Sequence, residues 1–309
     1  MEITIIHWIG FFLLLVIFLI IDLGLFKKRE KSLTYKQALK WSGIWISTAV
    51  IFNLLVYYFL GKQKGLEFTT GYLLEYSLSV DNIFVFVLIF SFFKVSNKSQ
   101  KKVLFWGIVG AIAMRLLLIA IGTSLANRFE WIFYFFGLIL IFSAFKMILK
   151  KDGEFEPSKN IIVRAFRKFF PVTQDYHGDK FFILQNKKKY ATPLFIVLLI
   201  IETSDLIFAF DSIPAIISIT QDAFIIFTSN AFAILGLRSL YFVLVKVIDK
   251  FHYLKYGLAL ILAFIGVKML IHNIVEIPII TSLLVIILIL FISIIASLNR
   301  KNNNRNKNI

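Results

Sequence analysis

Nine long apolar stretches dominate the sequence and constrain what it can fold into. Each is long enough, as a helix, to cross a hydrocarbon layer of roughly 30 Å. They cover residues 5–26, 41–60, 69–93, 103–123, 131–149, 193–219, 223–245, 256–272 and 278–298. The composition agrees, because only 17% of the residues are charged, against about 25% in a soluble domain. The sequence therefore predicts an all-α, polytopic membrane protein with nine transmembrane helices, and it excludes a soluble enzyme.

The Lys and Arg residues indicate how the chain is oriented. With the N-terminus outside, 27 of the 34 basic residues fall in cytoplasmic segments and 3 in external ones. The cytoplasmic segments are 27–40, 94–102, 150–190, 246–255 and 300–309. The positive-inside rule then predicts an external N-terminus and a cytoplasmic C-terminus, in the inner membrane of the cell. The net charge of +16 reflects this topology and attraction to anionic lipid, so the bilayer is the expected partner and nucleic acid is not.

Several classes of chemistry are missing from the sequence. There is no cysteine, which excludes disulfides, thiolate metal sites and a cysteine nucleophile. The metalloprotease motif HExxH, the GxGD motif of intramembrane aspartyl proteases and the nucleotide-binding loop GxxxxGK[ST] are all absent. We therefore expect no enzyme, no pump driven by ATP in this chain and no tightly bound cofactor.

Acidic residues inside the third and sixth apolar stretches are the most informative residues. They are Glu75, Asp81, Glu202, Asp205 and Asp211. Each acid at the centre of a bilayer costs about 2.5–3.5 kcal/mol on insertion scales, so such residues are usually functional. Their number favours an ion or proton pathway. The alternative is a purely structural pairing with Arg115 and Arg238.

The two acidic stretches also resemble each other. SVDNIFVF (79–86) and TSDLIFAF (203–210) share the pattern Ser/Thr-x-Asp-x-Ile-Phe-x-Phe. An arginine follows the shared Asp after 34 residues in the first copy and after 33 in the second. A Lys-Met pair then follows after 31 and 30 residues. Because each copy holds three helices, an odd number, we predict two inverted-topology repeats with a binding site between them.

The repeats predict how the chain is divided. An N-terminal two-helix segment covers 1–68, and the first three-helix repeat covers 69–150. A cytoplasmic loop covers 151–190, and the second repeat covers 191–272. The ninth helix and a cytoplasmic tail occupy 273–309.

The predicted site is rich in hard oxygen ligands. The candidate metal-binding residues are Asp81, Asp205, Glu75, Glu202, Asp211, Asn82, Ser79, Thr203 and Ser212. Carboxylate, amide and hydroxyl oxygens suit Mg²⁺, Ca²⁺ or Mn²⁺ rather than copper or zinc. Three basic residues are expected to order these carboxylates, namely Arg115, Arg238 and Lys268. The residues alone thus indicate a hard divalent cation or protons.

Other polar residues have two interpretations each. Asp22 is either an anchor at the inner leaflet or a ligand at the entrance to the pathway. Asp175, His177 and Asp179 form either a metal-binding group at the inner mouth or an ordinary polar turn. Pro214 either kinks the sixth helix or interrupts it, since proline removes one backbone hydrogen bond.

Five segments resemble the TerC/Alx family of integral membrane proteins. They are IDLGLFKKR (21–29), EYSLSVDNIFVF (75–86), FPVTQDYHGDKFF (170–182), ATPLFIVLLIIETSDLIFAFDSIPAI (191–216) and SNAFAILGLRSLYF (229–242). The resemblance implies export of Mn²⁺ and a link to tellurite resistance. It also implies that the family's membrane acids fall on Asp22, Glu75, Asp81, Glu202, Asp205 and Asp211.

Three functions follow as expectations. The first is a secondary transporter that exports a divalent metal ion, Mn²⁺ by resemblance, in exchange for protons. The second is a transporter of tellurite or another oxyanion, and the third is a factor for membrane-protein assembly. The sequence is compatible with a homo-oligomer and does not fix the oligomeric state.

Overall fold

The computed structural model describes residues 4–27, 34–149, 161–185, 187–246, 253–271, 273–275 and 277–306. Within these ranges, the side chains of residues 23–27, 81, 161 and 300–306 lie outside the description. The described residues form helices and one two-stranded sheet. In chain order these elements are α1 (Ile5–Lys27), α2 (Tyr35–Leu60), α3 (Lys62–Phe92), α4 (Asn97–Arg128), α5 (Trp131–Leu149), α6 (Ile161–Phe169), β1 (Phe182–Gln185), β2 (Lys188–Ala191), α7 (Pro193–Ile217), α8 (Ala223–Leu235), α9 (Leu237–Leu244), α10 (Leu254–Leu270) and α11 (Ile279–Asn306).

Most of these helices are long and apolar enough to cross a membrane. Seven qualify among the described residues, namely α1, α2, α3, α4, α5, α7 and α11. The pair α8 and α9, which meet at a bend of 42°, adds an eighth span when counted as one. Helix α10 coincides with the eighth predicted stretch, but with 17 residues it is shorter than the 18 residues required of a spanning helix. The polytopic helical architecture is confirmed, whereas the count of nine spans stays a prediction.

Helix α8 lies in the interior of the bundle. Its side chains are buried from Phe224 to Leu235, and it packs against α1, α2, α3, α4 and α9. A helix that is apolar on every face is stable only when it is enclosed. Helices α1, α2, α5 and α11 instead carry many exposed large apolar side chains. Exposed apolar surface of that extent marks a membrane-facing surface, so we assign these helices to the lipid side.

Helices α5 and α10 pack antiparallel through two glycines. A Cβ atom on Gly137 would lie 2.9 Å from the Gly266 carbonyl oxygen, and one on Gly266 would lie 2.9 Å from that of Gly137. Farther along the pair, Asn273 donates a hydrogen bond to the Tyr134 hydroxyl at 3.1 Å. Small residues allow membrane helices to approach closely in this way. Opposite directions for α5 and α10 are what inverted repeats require, although the superposition of the repeats stays a prediction.

The interruption in the bundle lies after Leu235 and not at Pro214. Helix α7 continues through Pro214 and ends three residues later, at Ile217. A proline removes one backbone hydrogen bond. This close to the end of a helix, few backbone hydrogen bonds remain beyond it to be disturbed. The 42° bend instead separates α8 from α9 at Gly236, and glycine is a poor helix former.

The segment predicted only as a cytoplasmic loop contains regular structure. It holds α6 and an antiparallel hairpin in which Phe182 pairs with Ala191. Hydrogen bonds join this segment to α3 and α4, from Lys102 Nζ to the Asp179 carbonyl at 2.5 Å and from the Tyr176 hydroxyl to the Phe93 carbonyl at 2.7 Å. Partial burial raises the pKa of Tyr176, which keeps its hydroxyl protonated as a donor. Residues 151–160 of the predicted loop lie outside the described residues.

Candidate functional site

Arg115 is the centre of a polar cluster inside the helix bundle. It belongs to α4 and is only 1% exposed. An unpaired charge in such a position costs several kcal/mol, so a buried guanidinium needs carboxylates and further acceptors around it. Side chains from α3, α7 and α8 supply them.

Two carboxylates hold the guanidinium of Arg115. Its Nε donates to Asp205 Oδ2 at 3.2 Å and its Nη2 to Asp205 Oδ1 at 3.0 Å, a bidentate geometry that is both strong and directional. Its Nη1 forms an ion pair with Glu75 Oε1. Arg115 therefore joins α3, α4 and α7, and the three groups carry a net charge of −1 when all are ionised.

Neutral side chains complete the hydrogen bonding of this cluster. Asn230 accepts from Arg115 Nη1 at 3.1 Å and donates to Glu75 Oε2 at 2.9 Å. Ser79 donates to Glu75 Oε1 at 3.2 Å, and Ser212 accepts from Arg115 Nη1 at 3.4 Å. A buried network that is satisfied in this way is rigid. We call Arg115, Glu75, Asp205, Asn230 and Ser79 the arginine cluster.

The arginine cluster lies deep within the spans. Glu75, Arg115 and Asp205 each fall in the middle third of their helices, and Asn230 does so in α8. The position of the cluster near the bilayer midplane stays a prediction. Because these side chains are buried, water screens their electrostatic interactions little.

Two further acids lie in α7 beside the cluster. Glu202 is half-buried, and its carboxylate lies against Gly110, where a Cβ atom would come within 2.2 Å of Glu202 Oε1. Asp211 is also half-buried and accepts a hydrogen bond from Ser143 at 2.5 Å. Among the described residues, neither acid forms an ion pair with Lys or Arg. Asp211 interacts electrostatically with Lys146 and Glu202 with Asp205, but within the described part of the chain neither acid is neutralised by a direct ion pair as the two acids of the arginine cluster are.

A second buried ion pair joins α1 to α9. Arg238 Nη2 lies 2.5 Å from Asp22 Oδ2 and donates to the Asp22 carbonyl at 2.7 Å. Both residues are 2% exposed, and the guanidinium lies over the Phe105 ring. The geometry favours a structural role for Asp22 over the predicted entrance role.

The other predicted site residues lie at different places. Asp81 is within α3, but its side chain lies outside the described residues. Asn82 is buried beside it in sequence. Thr203 donates to the Leu199 carbonyl of its own helix at 2.6 Å. Lys268 donates to Ser282 at 3.1 Å, and the structure does not bring it to the arginine cluster.

The loop residues proposed for the inner mouth form polar turns. Asp175 and His177 are exposed. The backbone carbonyls of Asp175, His177 and Asp179 accept hydrogen bonds from Thr173, Lys180 and Lys102. Within the ranges described above, no three His, Asp or Glu side chains come together in a group that could hold a metal ion. This statement covers the predicted ligands except Asp81, whose side chain lies outside the described residues.

Sequence reasoning missed three residues that shape the site. Asn230 bridges Glu75 and Arg115, Gly110 makes room for Glu202, and Ser143 binds Asp211. A single Asn in an apolar stretch is a signal for such a bridge. The Gly110 contact depends on how α4 and α7 pack, and no sequence pattern gives it.

Comparison with known proteins identifies the family. The model described as "Integral membrane protein TerC family" matches residues 60–305. An uncharacterized membrane protein of Myxococcus xanthus is 46% identical over 94% of this chain and 91% of its own length. A protein of Escherichia coli strain K12 named "Putative membrane-bound redox modulator Alx" is 44% identical, over 93% of this chain and 92% of its own. No solved structure matches the chain. The chain therefore belongs to the TerC family of integral membrane proteins.

Proposed function

We propose that this chain is a secondary transporter that exports a divalent metal ion, Mn²⁺, through the acidic region around Arg115, in exchange for protons. The observation that carries the proposal is the excess of buried acid within the spans. Glu75 and Asp205 share one arginine, while Glu202 and Asp211 have no ion pair among the described residues. Acids without a direct ion pair are costly in a membrane and mark ion or proton pathways.

The charge balance supports exchange of a divalent cation for protons. Glu75, Asp205, Glu202 and Asp211 with Arg115 carry −3 when all are ionised, and Lys146, which interacts electrostatically with Asp211, reduces this to −2. One divalent cation brings the charge to zero, and so does the binding of two protons. Because either occupant gives the same net charge, the region can alternate between metal-loaded and protonated states at comparable electrostatic cost.

Arg115 has a defined role in this proposal. In the structure its guanidinium lies between Glu75 and Asp205, the position that a shared cation would take. The metal ion must therefore compete with Arg115 for these carboxylates. A competing arginine prevents the acids from repelling each other when the ion has left, and it keeps the affinity low enough for release.

The identity of the ion rests on chemistry and on the family resemblance. Carboxylate, amide and hydroxyl oxygens select hard cations, and the resemblance adds Mn²⁺ among them. An oxyanion substrate is less well supported, because Arg115 and Arg238 are each already engaged by carboxylates. The redox function in the names of the Alx relatives cannot use thiols in this chain, because it contains no cysteine.

Substitution of the two acids without an ion pair tests the proposal in cells. Glu202→Gln and Asp211→Asn each remove one charge and leave the arginine cluster intact. In a host that lacks its own manganese exporters, we expect each variant to reduce Mn²⁺ efflux at least about tenfold, equivalent to 1.4 kcal/mol. Cells that carry these variants should accumulate manganese and become sensitive to it.

The matched control is Glu130→Gln, the same substitution at an exposed acid. It should leave efflux at the wild-type rate. Membrane expression of every variant is measured first. If Glu202→Gln and Asp211→Asn are expressed normally and export manganese at the wild-type rate, these acids are structural and the proposed pathway is wrong.

A further inference from the structure

A cavity lined in part by charged side chains lies at the end of the bundle opposite the hairpin. It has a volume of about 360 Å³ and is bounded by the start of α3, the α7–α8 connection and the end of α10. Its charged lining residues are Lys64, Glu67, Asp222 and Lys268. At about 30 Å³ per water molecule, the cavity has room for a cation with part of its hydration shell. The distribution of basic residues predicts that this end faces outward.

Lys64 lies between the two acids of this cavity. Its Nζ is 3.0 Å from Glu67 Oε2 and 2.9 Å from Asp222 Oδ2. Thr220 donates to the same Glu67 oxygen at 2.6 Å. One cationic side chain thus bridges two carboxylates from different elements, as Arg115 does between Glu75 and Asp205. Lys64 takes the position that a bound cation would occupy.

Solvent exposure distinguishes Lys64 from Arg115. The Lys64 side chain is 32% exposed, whereas the side chain of Glu67 is 8% exposed. A lysine ammonium on a flexible four-carbon chain has no fixed planar geometry to lose when it leaves a carboxylate. Lys64 can therefore move into water and leave behind two carboxylates and the Thr220 hydroxyl, all hard oxygen ligands.

One face of α3 connects the cavity with the arginine cluster. Glu67 and Glu75 are eight residues apart, which corresponds to about 12 Å along a helix. Gly71 lies between them and packs closely against α8, since a Cβ atom there would come within 2.8 Å of Ser229 Oγ. Ser229 precedes Asn230 of the cluster. Glu67 is therefore the next acid outward from Glu75 along α3.

The charge balance in the cavity is suited to release. Lys64 and Lys268 offset Glu67 and Asp222, so the charged lining is neutral as a whole. A neutral lining holds a divalent cation weakly. The arginine cluster is negative, so affinity falls from the cluster to the cavity.

We propose that this cavity is a second, low-affinity cation site on the release side of the transport pathway, where Lys64 competes with the departing divalent cation for Glu67 and Asp222. This inference rests on the proposed export of Mn²⁺. It assigns an outer binding site and its competitor, which the proposed function by itself does not require.

Inhibition of export by external Mn²⁺ tests this site. Purified full-length protein is reconstituted in proteoliposomes, and efflux is measured while Mn²⁺ is added on the release side. Removal of the competitor in Lys64→Gln should lower the half-inhibitory concentration of Mn²⁺ about tenfold, as expected when one charge near the ligands is lost at partial solvent screening. Lys62→Gln, at an exposed position in the same helical turn, should leave it unchanged.

A second substitution separates a cation site from a change in folding. Asp222 caps α8 by accepting from the backbone of Phe224 and Ile225, and Asn caps helices as well as Asp does. Asp222→Asn should therefore preserve the fold and raise the half-inhibitory concentration. In the double variant Lys64→Gln/Asp222→Asn, the tenfold decrease in the half-inhibitory concentration of Mn²⁺ should disappear.

Each result decides the matter. The inference is wrong if Lys64→Gln behaves like Lys62→Gln, or if Asp222→Asn alone has no effect on the half-inhibitory concentration. If the wild-type protein moves no Mn²⁺ at all, the proposed function fails. In that case, Mn²⁺ binding to the same purified variants still determines whether the cavity binds the ion. Binding is measured as the loss of the electron paramagnetic resonance signal of free Mn²⁺.

Discussion

A guanidinium buried between two carboxylates has a stability role that is separate from transport. Among the side chains that the structure describes, Glu75, Asp205, Ser212 and Asn230 accept five hydrogen bonds from Arg115. Removal of one partner of a buried ion pair costs about 3–5 kcal/mol, because the other charge is left uncompensated. Transport assays on the arginine cluster must therefore be interpreted together with stability.

The first prediction at this scale concerns Arg115. Arg115→Gln leaves Glu75 and Asp205 as two adjacent buried carboxylates, and we expect it to lower the free energy of unfolding by about 3–5 kcal/mol. Thermal unfolding in detergent measures this. Arg128→Gln, at the exposed end of the same helix, should unfold like the wild type, and an equally stable Arg115→Gln would contradict the central position of Arg115.

A second prediction concerns Asn230, which sequence reasoning did not single out. Asn230→Ala removes the bridge between Arg115 and Glu75 without a change of charge. The loss of hydrogen bonds to charged groups should cost about 1.5–3 kcal/mol, measured by the same unfolding experiment. Asn53→Ala, which removes an amide that donates to the neutral hydroxyl of Thr69, should cost less; an equal or larger cost at Asn53 would argue against the bridge.

The acids could be predicted from sequence, but their partners could be predicted only in part. A charged residue in an apolar stretch stands out because its insertion cost is high, so Glu75, Asp205, Glu202 and Asp211 were all predicted. The pairing of Arg115 with Glu75 and Asp205 depends on which helices meet. Sequence spacing on one helix does not determine that.

Helices could be located from hydropathy much more reliably than connections. Every predicted apolar stretch coincides with a helix or, for 223–245, with the bent pair α8 and α9. The hairpin was missed because its strands have only four residues each, too short for an alternating pattern. An interruption of the sixth helix was one of two interpretations of Pro214, and α7 instead continues through it. The bend at Gly236, in the following span, was not predicted.

The element-scale prediction concerns the glycine contact between α5 and α10. Ala is favoured over Gly by about 1 kcal/mol in a helix interior, but a methyl group on Gly137 would meet the Gly266 carbonyl at 2.9 Å. We expect Gly137→Ala to destabilise the protein by about 1–3 kcal/mol through overpacking. At Gly43 a Cβ atom would meet nothing within 4 Å, so Gly43→Ala should be neutral or stabilising. Unfolding midpoints that fall in the opposite order would contradict the close packing.

At the scale of the whole molecule, the orientation in the membrane is predicted from the Lys and Arg distribution. The chain has no cysteine, so single cysteines can be introduced without a background. We expect Glu130→Cys to react with an impermeant thiol reagent in intact cells and Asp175→Cys to react only after permeabilisation. Labelling of Asp175→Cys from outside would reverse the topology and place the outer cavity on the cytoplasmic side.

The central claim is that this chain alone moves Mn²⁺ across a membrane by exchange with protons. The most direct test is Mn²⁺ flux into proteoliposomes that contain only the purified full-length protein, with an imposed pH gradient as the driving force. We predict Mn²⁺ accumulation that depends on the gradient, accompanied by countermovement of protons, and a reduction of at least about tenfold in Glu202→Gln but not in Glu130→Gln. Flux no greater than in protein-free liposomes, from protein that is folded and correctly inserted, would contradict the account.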